Sequence, residues 1–218
     1  MEIIVKGTGE KYFTPDEIIL NFNFYVKGST YEEVLEIGTN NVYSFINEFL
    51  SKENFTKEDL KTRSFLIKEE TRYDESTRKY LKDGYSFNQN ATLKFDYDKD
   101  KLARMMASLS TLSMYPKCQI NFGVKDEKTA RRSIVNIAYN DAKEQALSIA
   151  SAAGLELGEC IKVDFKPFTT EYVSHSNMDS EMVMRTAKMG VAPDRVSAIF
   201  TPEDILISET LYTLWKTK

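Results

Sequence analysis

The stretch EIILNFNFYVKG, at residues 17–28, alternates between two kinds of side chain. One set of alternate positions is entirely apolar and consists of Ile18, Leu20, Phe22, Phe24 and Val26. Because successive side chains of a β-strand point to opposite faces of the sheet, a period of two predicts a strand with one buried face. The sequence is therefore expected to fold around a sheet that is covered on one side.

Helical patterns follow this strand. Residues 29–33 form two overlapping capping boxes, and apolar residues at three- and four-residue spacing continue to about Ser51. A second helix is predicted between Asp98 and Pro116, and a third and longest between Asp126 and Gly154. The third helix has alanine or isoleucine at every fourth position along one line. Small side chains in that register let a helix lie close to a sheet or to another helix.

Further alternating segments predict strands on both sides of these helices. They lie at about residues 2–12, 62–71, 84–97, 118–123, 160–165 and 205–215. From Pro15 onward, a strand–helix–strand–strand unit occurs twice, with the second helix between the copies. We predict an α+β fold with three main helices packed on a mostly antiparallel sheet. It is expected to be a single domain over residues 1–218, with sub-units at 1–97 and 98–218.

Composition and charge argue against several classes of protein. The chain has 218 residues, 42% of them hydrophobic and 28% charged, which is unlike a disordered chain. The isoelectric point near 5.3 offers no basic surface for nucleic acid. The apolar runs are far shorter than the ~20 residues that span a bilayer, and the first residues do not form a secretory signal. The sequence therefore predicts a cytoplasmic protein with no membrane span, in which Cys118 and Cys160 are reduced thiols.

No motif with catalytic chemistry stands out. One histidine and two cysteines leave little for a zinc site. Gly7-Thr8-Gly9 lacks the third glycine and the helix start of a dinucleotide loop, and is interpreted as a kink or bulge in an edge strand. The only histidine, His175, lies in a polar segment and is interpreted as a bystander. Neighbouring carboxylates are explained as caps, turns or exposed strand positions. We predict no catalytic residue, no cofactor and no metal, and hence a protein that is not an enzyme.

Alternation stops between Phe168 and Pro202, and a polar, methionine-bearing insert occupies residues 169–202. Such inserts are usually functional or disordered. Three interpretations remain open: a mobile surface loop, an arm that packs on a neighbouring subunit, or a lid over a ligand. Because methionine side chains adapt to irregular surfaces, the candidate interface residues are Met178, Met182, Met184 and Met189.

The order and spacing of several landmarks resemble the SIMPL-domain family, long known as domain of unknown function 541. These landmarks are Val5-Lys6-Gly7-Thr8-Gly9, Pro15-Asp16, Gly28 before a helix, Asp59-Leu60-Lys61-Thr62, Gly84-Tyr85, the third helix closing with Gly154-Leu155-Glu156-Leu157-Gly158, and Pro202-Glu203-Asp204. The resemblance covers nearly the whole chain and implies a non-enzymatic α+β protein of bacterial type. Envelope relatives are thought to form ring-like or channel-like homo-oligomers, some members are associated with oxidative stress, and an animal relative binds a signalling kinase. The family has no established catalytic residues.

The first hypothesis is therefore a homo-oligomeric structural or interaction module, with an unknown protein as a further candidate partner. Unpaired strand edges at both ends of the chain would be satisfied by a neighbour's edge. The alternative hypothesis is a small-molecule-binding protein or enzyme with its pocket under the 169–202 insert.

Overall fold

A computed structural model describes residues 1–112, 114, 116–168 and 200–218. Over these residues the fold is α+β, with two antiparallel sheets and three α-helices, as predicted. In chain order the elements are β1 (Glu2–Phe13), β2 (Glu17–Gly28), α1 (Tyr31–Phe45), a π-helical turn (Ile46–Leu50), β3 (Leu60–Asp74), β4 (Lys79–Asp96), α2 (Lys99–Leu109), β5 (Lys117–Gly123), α3 (Glu127–Ala152), β6 (Leu157–Asp164) and β7 (Ile205–Thr217).

These elements form two compact units. Among the described residues, unit 1 consists of 1–15, 124–168 and 203–218. Unit 2 consists of the described residues within 16–123 together with 200–202. Unit 1 combines separate stretches of the sequence, because β1 pairs with β7. The organisation as one domain over 1–218, with sub-units 1–97 and 98–218, stays a prediction.

Unit 1 is a three-stranded sheet in the order β1-β7-β6, with α3 packed on one face. The predicted every-fourth-residue stripe of α3 is confirmed, because all six of its members are buried: Ala130, Ile134, Ala138, Ala142, Ala146 and Ala150. The helix meets β1 at its glycines. A Cβ atom at Gly7 would overlap the backbone carbonyl of Ala138, and one at Gly9 would lie 2.6 Å from the carbonyl oxygen of Ile134.

Unit 2 is a four-stranded sheet in the order β3-β4-β2-β5, with its helices packed on one face. The predicted inward residues of β2 form the centre of the core, where Phe22 and Phe24 contact the ring of Phe45 with centroids 4.8 and 5.1 Å away. The start of α1 is capped as its sequence predicts. Thr30 Oγ1 accepts a hydrogen bond from the Glu33 amide at 3.2 Å, and the Glu33 carboxylate accepts from the Ser29 amide at 2.7 Å.

Of the two predicted strand–helix–strand–strand units, only the first keeps all its strands in one sheet. In unit 2, β2, α1, β3 and β4 are consecutive, and β2 pairs with β4. In unit 1, the corresponding strand beside β7 is β1, from the start of the chain, whereas β5 pairs with β2 in unit 2. The reason is packing: Cys118, Ile120 and Phe122 of β5 lie against the core of unit 2.

Candidate interaction surfaces

The predicted interface residues belong to the insert at 169–202. Met178, Met182, Met184 and Met189 lie outside the described residues, as does His175. The end of the insert is described, and Phe200 is 8% exposed within the hydrophobic core of unit 2. Phe200 therefore belongs to the core of unit 2.

The prediction of unpaired edges at both ends of the chain is wrong for the last strand. β7 lies between β1 and β6 and pairs with both. The edge strands are β1 and β6 in unit 1 and β3 and β5 in unit 2.

Each edge strand carries a feature that hinders pairing with another chain. On β1, the Thr8 amide donates to Asp141 Oδ2 of α3 at 2.7 Å, so a side chain already occupies this edge group. β3 and β6 each contain two register shifts, and β5 is only seven residues long. Bulges, short strands and covered edges are the usual protections against edge-to-edge association. Assembly through a bare strand edge is therefore disfavoured.

A projecting hairpin is the most distinctive feature of unit 2. Pairing of β2 with β4 ends at Gly28 and Tyr85, whereas β3 and β4 continue to pair as far as Asp74 and Lys79. Residues 71–82 thus form a two-stranded ribbon beyond the main sheet, which we call the tyrosine arm. The strands predicted here, at about 62–71 and 84–97, are shorter than the observed ones.

The base of the tyrosine arm is held by charged side chains and by one glycine. Lys27 pairs with Asp83 at 2.5 Å, and Lys82 pairs with Glu69 at 2.8 Å. The hydrogen bond from Lys82 lowers the pKa of the Glu69 carboxyl and, from the other side, raises the pKa of Lys82. Gly84 has φ +88°, and a Cβ atom there would overlap the carbonyl oxygen of Gly28. Only glycine suits both requirements at this position.

The tip of the arm is fixed by Asp74. Its carboxylate accepts hydrogen bonds from the Ser76 amide at 3.0 Å, from the Ser76 hydroxyl at 2.7 Å and from the Thr77 hydroxyl at 2.7 Å. The hydrogen bond from the Ser76 side chain is the main cause of a lowered pKa for Asp74. The turn is therefore a defined structure rather than a loose loop.

Aromatic side chains are exposed along the arm. The rings of Tyr73 and Tyr80 meet edge to face with centroids 5.2 Å apart, although these side chains are 50% and 74% exposed. At the base, Lys82 Nζ lies 4.3 Å from the ring centroid of Tyr85, which also contacts Tyr31. Tyrosine is enriched in protein interfaces because it offers a large apolar area and a polar tip at a low entropic cost. The arm has the chemistry of a contact surface.

The groups considered for catalysis have structural roles where the structure describes them. Asp98 caps α2, Glu33 caps α1, and Glu70 accepts a hydrogen bond from Ser86 at 2.6 Å. Burial raises the pKa of the Cys118 thiol to about 12, which opposes nucleophilic chemistry. Within the described ranges, no three histidine, cysteine or carboxylate side chains are grouped as a metal site. Cys118 and Cys160 are both free thiols, as expected, and both are half-buried.

No helix in the described part of the chain has the length and apolar character needed to cross a bilayer.

Comparison with known proteins gives one result over nearly the whole chain. The family model described as SIMPL, a protein of unknown function (DUF541), matches residues 3–212. No curated protein matches the chain.

Proposed function

The chain belongs to the SIMPL family, and we propose that it is a non-enzymatic module of the cytoplasm. We propose further that it assembles with copies of itself through the tyrosine arm. The observation that carries the proposal is the pair Tyr73 and Tyr80, two rings that contact each other on a projecting ribbon and yet are mostly open to solvent. An isolated two-stranded ribbon is only marginally stable in water. Contact with a second molecule would stabilise it and remove the aromatic area from water.

Charge supports a copy of this chain as the partner. The tyrosine arm contains four basic and two acidic residues, whereas the whole chain has a formal charge of −4. A positively charged arm is attracted to the acidic surface that the rest of another copy presents. The anchored base and the hydrogen-bonded turn at Asp74 hold the arm in a defined conformation, which reduces the entropic cost of binding.

The non-enzymatic part of the proposal rests on the structural roles of Glu33, Glu70 and Asp98. The cytoplasmic part rests on Cys118 and Cys160, because free thiols are typical of reducing compartments.

The test is the mass in solution, measured by light scattering after size exclusion. We expect the unmodified chain to have a mass several times 25.1 kDa. A variant with Tyr73→Ser and Tyr80→Ser should be a monomer with an unchanged far-UV circular dichroism spectrum, because both side chains are exposed.

Tyr43→Ser is the matched control. Tyr43 is 67% exposed on α1, so the substitution removes an equally accessible tyrosine outside the arm and should leave the assembly intact. An unmodified chain that stays monomeric at high concentration would contradict self-assembly. An assembly that survives the double substitution would contradict the role of the arm.

A further inference from the structure

The open face of the unit 2 sheet, opposite the helices, is unusually rich in neutral amides. Strand register places its side chains in rows that cross the sheet. The amides of this face are Asn21 and Asn23 on β2, Asn88 and Asn90 on β4, and Gln119 and Asn121 on β5. We call these six side chains the amide face. Asparagine is depleted in β-strands, so this concentration of asparagine side chains on one face requires an explanation.

The amide face is held in place by hydrogen bonds between its own members. Asn23 Nδ2 donates to Asn88 Oδ1 and to Asn90 Oδ1, both at 2.8 Å. Asn90 Nδ2 donates to Ser64 Oγ of β3 at 2.9 Å. Thr92, which is only 3% exposed, donates to Asn21 Oδ1 at 2.8 Å. The side chains are thereby fixed before any ligand arrives, which lowers the entropic cost of binding.

This network leaves hydrogen-bonding capacity unused. Both amide protons of Asn23 are occupied, but its Oδ1 atom has no protein partner among the described residues, and neither has the Nδ2 atom of Asn21 or Asn88. The side-chain amides of Gln119 and Asn121 also have no hydrogen-bond partner among the residues that the structure describes. The face therefore offers both donors and acceptors in several rows across three strands, which lie ~4.8 Å apart.

Charged groups are confined to the margins of the amide face. Lys94 is paired with Glu17 at 2.7 Å, and Lys68 is paired with Glu70 at 3.3 Å. On the edge strands, Arg63 of β3 donates to Thr92 Oγ1 at 3.3 Å, and Lys117 of β5 lies opposite Asn23. The six amides between these margins are themselves uncharged, so they offer hydrogen bonds rather than ion pairs. The ligand chemistry that matches this surface is neutral and rich in hydroxyl groups.

An exposed aromatic ring lies next to the amides. Tyr25 of β2 is directly opposite Asn88, whose other neighbour is Leu66 of β3. Tyr25 is 51% exposed and Leu66 is 52% exposed, so an apolar patch adjoins the hydrogen-bonding centre. A sugar ring presents both kinds of surface, with C–H groups on its faces and hydroxyl groups at its edge.

We propose that the amide face binds a neutral oligosaccharide, with Tyr25 packed against one sugar ring and the amides hydrogen-bonded to the hydroxyl groups of the next. The site is separate from the tyrosine arm and does not depend on self-assembly.

The test is affinity electrophoresis in native gels that contain soluble starch, mixed-linkage β-glucan or xylan, with heparin gels for comparison. At least one neutral polysaccharide should retard the chain, and heparin should not. Tyr25→Ser removes the packing surface, and Asn88→Leu removes an acceptor from the network. Each should weaken retardation about tenfold or more. Tyr43→Ser and Asn140→Leu, which alter exposed residues on α1 and α3, should behave like the unmodified chain.

Three outcomes would overturn the proposal. They are the absence of retardation by every neutral polysaccharide, retardation that both variants retain in full, and equal retardation by heparin. A fall in solution mass caused by Tyr25→Ser would instead assign the face to contact between copies, and would also overturn it. If the tyrosine-arm variants do not change the solution mass, the outcome of the polysaccharide test still holds, because those variants do not alter the amide face.

Discussion

The two units differ in the size of the side chains that pack between helix and sheet. Unit 2 covers its sheet with large rings, and Phe22, Phe45 and Phe49 contact one another with centroids 4.8–6.2 Å apart. In unit 1 the helix packs on β1 through small residues, because Ala138 and Ala142 of α3 lie directly against Gly7. The aromatic core is stabilised by the apolar area that it buries. The contact between α3 and β1 is stabilised by dispersion between closely approaching backbones.

This difference implies opposite weaknesses. A core of large rings is sensitive to the removal of atoms, which leaves a cavity. At the contact of α3 with β1, alanine against glycine leaves few atoms to remove and no space for an added atom.

Removal of one ring from unit 2 should have the largest effect. Phe45 is 1% exposed and contacts three other rings, so Phe45→Ala should lower the free energy of unfolding of this unit by about 3–5 kcal/mol. Denaturant-dependent labelling of Cys118 in a Cys160→Ser background reports this unit, because burial raises the pKa of that thiol to about 12.

Tyr43→Ala, on the exposed side of the same helix, is the control and should change the free energy by no more than about 0.5 kcal/mol. A loss below about 1 kcal/mol for Phe45→Ala would show that the aromatic cluster is not the main support of unit 2.

Addition of one methyl group to unit 1 should have the next largest effect. A Cβ atom at Gly7 would overlap the Ala138 carbonyl and lie 2.5 Å from the Ala142 nitrogen. Gly7→Ala should therefore lower the free energy of unfolding by about 1–3 kcal/mol. The fluorescence of Trp215 measures it, since this residue is the chain's only tryptophan and is buried in unit 1.

Gly123→Ala is the matched control, because the nearest atom to its Cβ would be the flexible end of Ile19 at 3.1 Å. It should leave the Trp215 transition unchanged. Equal stability of Gly7→Ala and the unmodified chain would mean that α3 can move away from β1 at little cost.

The smallest effect concerns the start of α3. The Asp126 carboxylate accepts a hydrogen bond from Thr129, which lowers its pKa below the ordinary value. Its contribution to stability is thus present above the pKa of the unfolded state, ~3.9, and is lost as the pH falls through the lower folded-state pKa. Asp126→Asn keeps a cap acceptor but cannot titrate.

The melting temperature of unit 1, followed by Trp215 from about pH 7 to about pH 3, should fall less for Asp126→Asn than for the unmodified chain. If the melting temperatures of the two proteins fall equally over this pH range, the Asp126 carboxylate does not contribute to the pH dependence of the stability of unit 1.

Local patterns predicted the elements well. The alternation of β2, the capping box before α1 and the stripe of α3 each depend on residues close in sequence, and each is found. The choice of strand partners was not predictable in the same way. Whether β1 or β5 completes the sheet of unit 1 depends on packing between segments more than 100 residues apart, and one sequence contains no direct signal for it.

The candidate surfaces were only partly predictable. Tyr73 and Tyr80 were visible in the sequence but were placed outside the predicted strands at 62–71 and 84–97. The alternation of apolar residues does not show how far β3 and β4 pair beyond the end of β2. The outward direction of Asn21 and Asn23 followed from alternation. Their hydrogen bonds to Asn88 and Asn90 depend on cross-strand register, which alternation alone does not fix.

The pairing of β1 with β7 affects the order in which the chain can fold during synthesis. β1 leaves the ribosome before β2, and its partner strand β7 is made about 200 residues after it. Until then, the apolar side chains of Ile3 and Val5 have no sheet to join, and closing so long a loop is slow. Unit 2 takes its strands from residues 17–123, so it can fold before β7 is made, and unit 1 becomes stable after it.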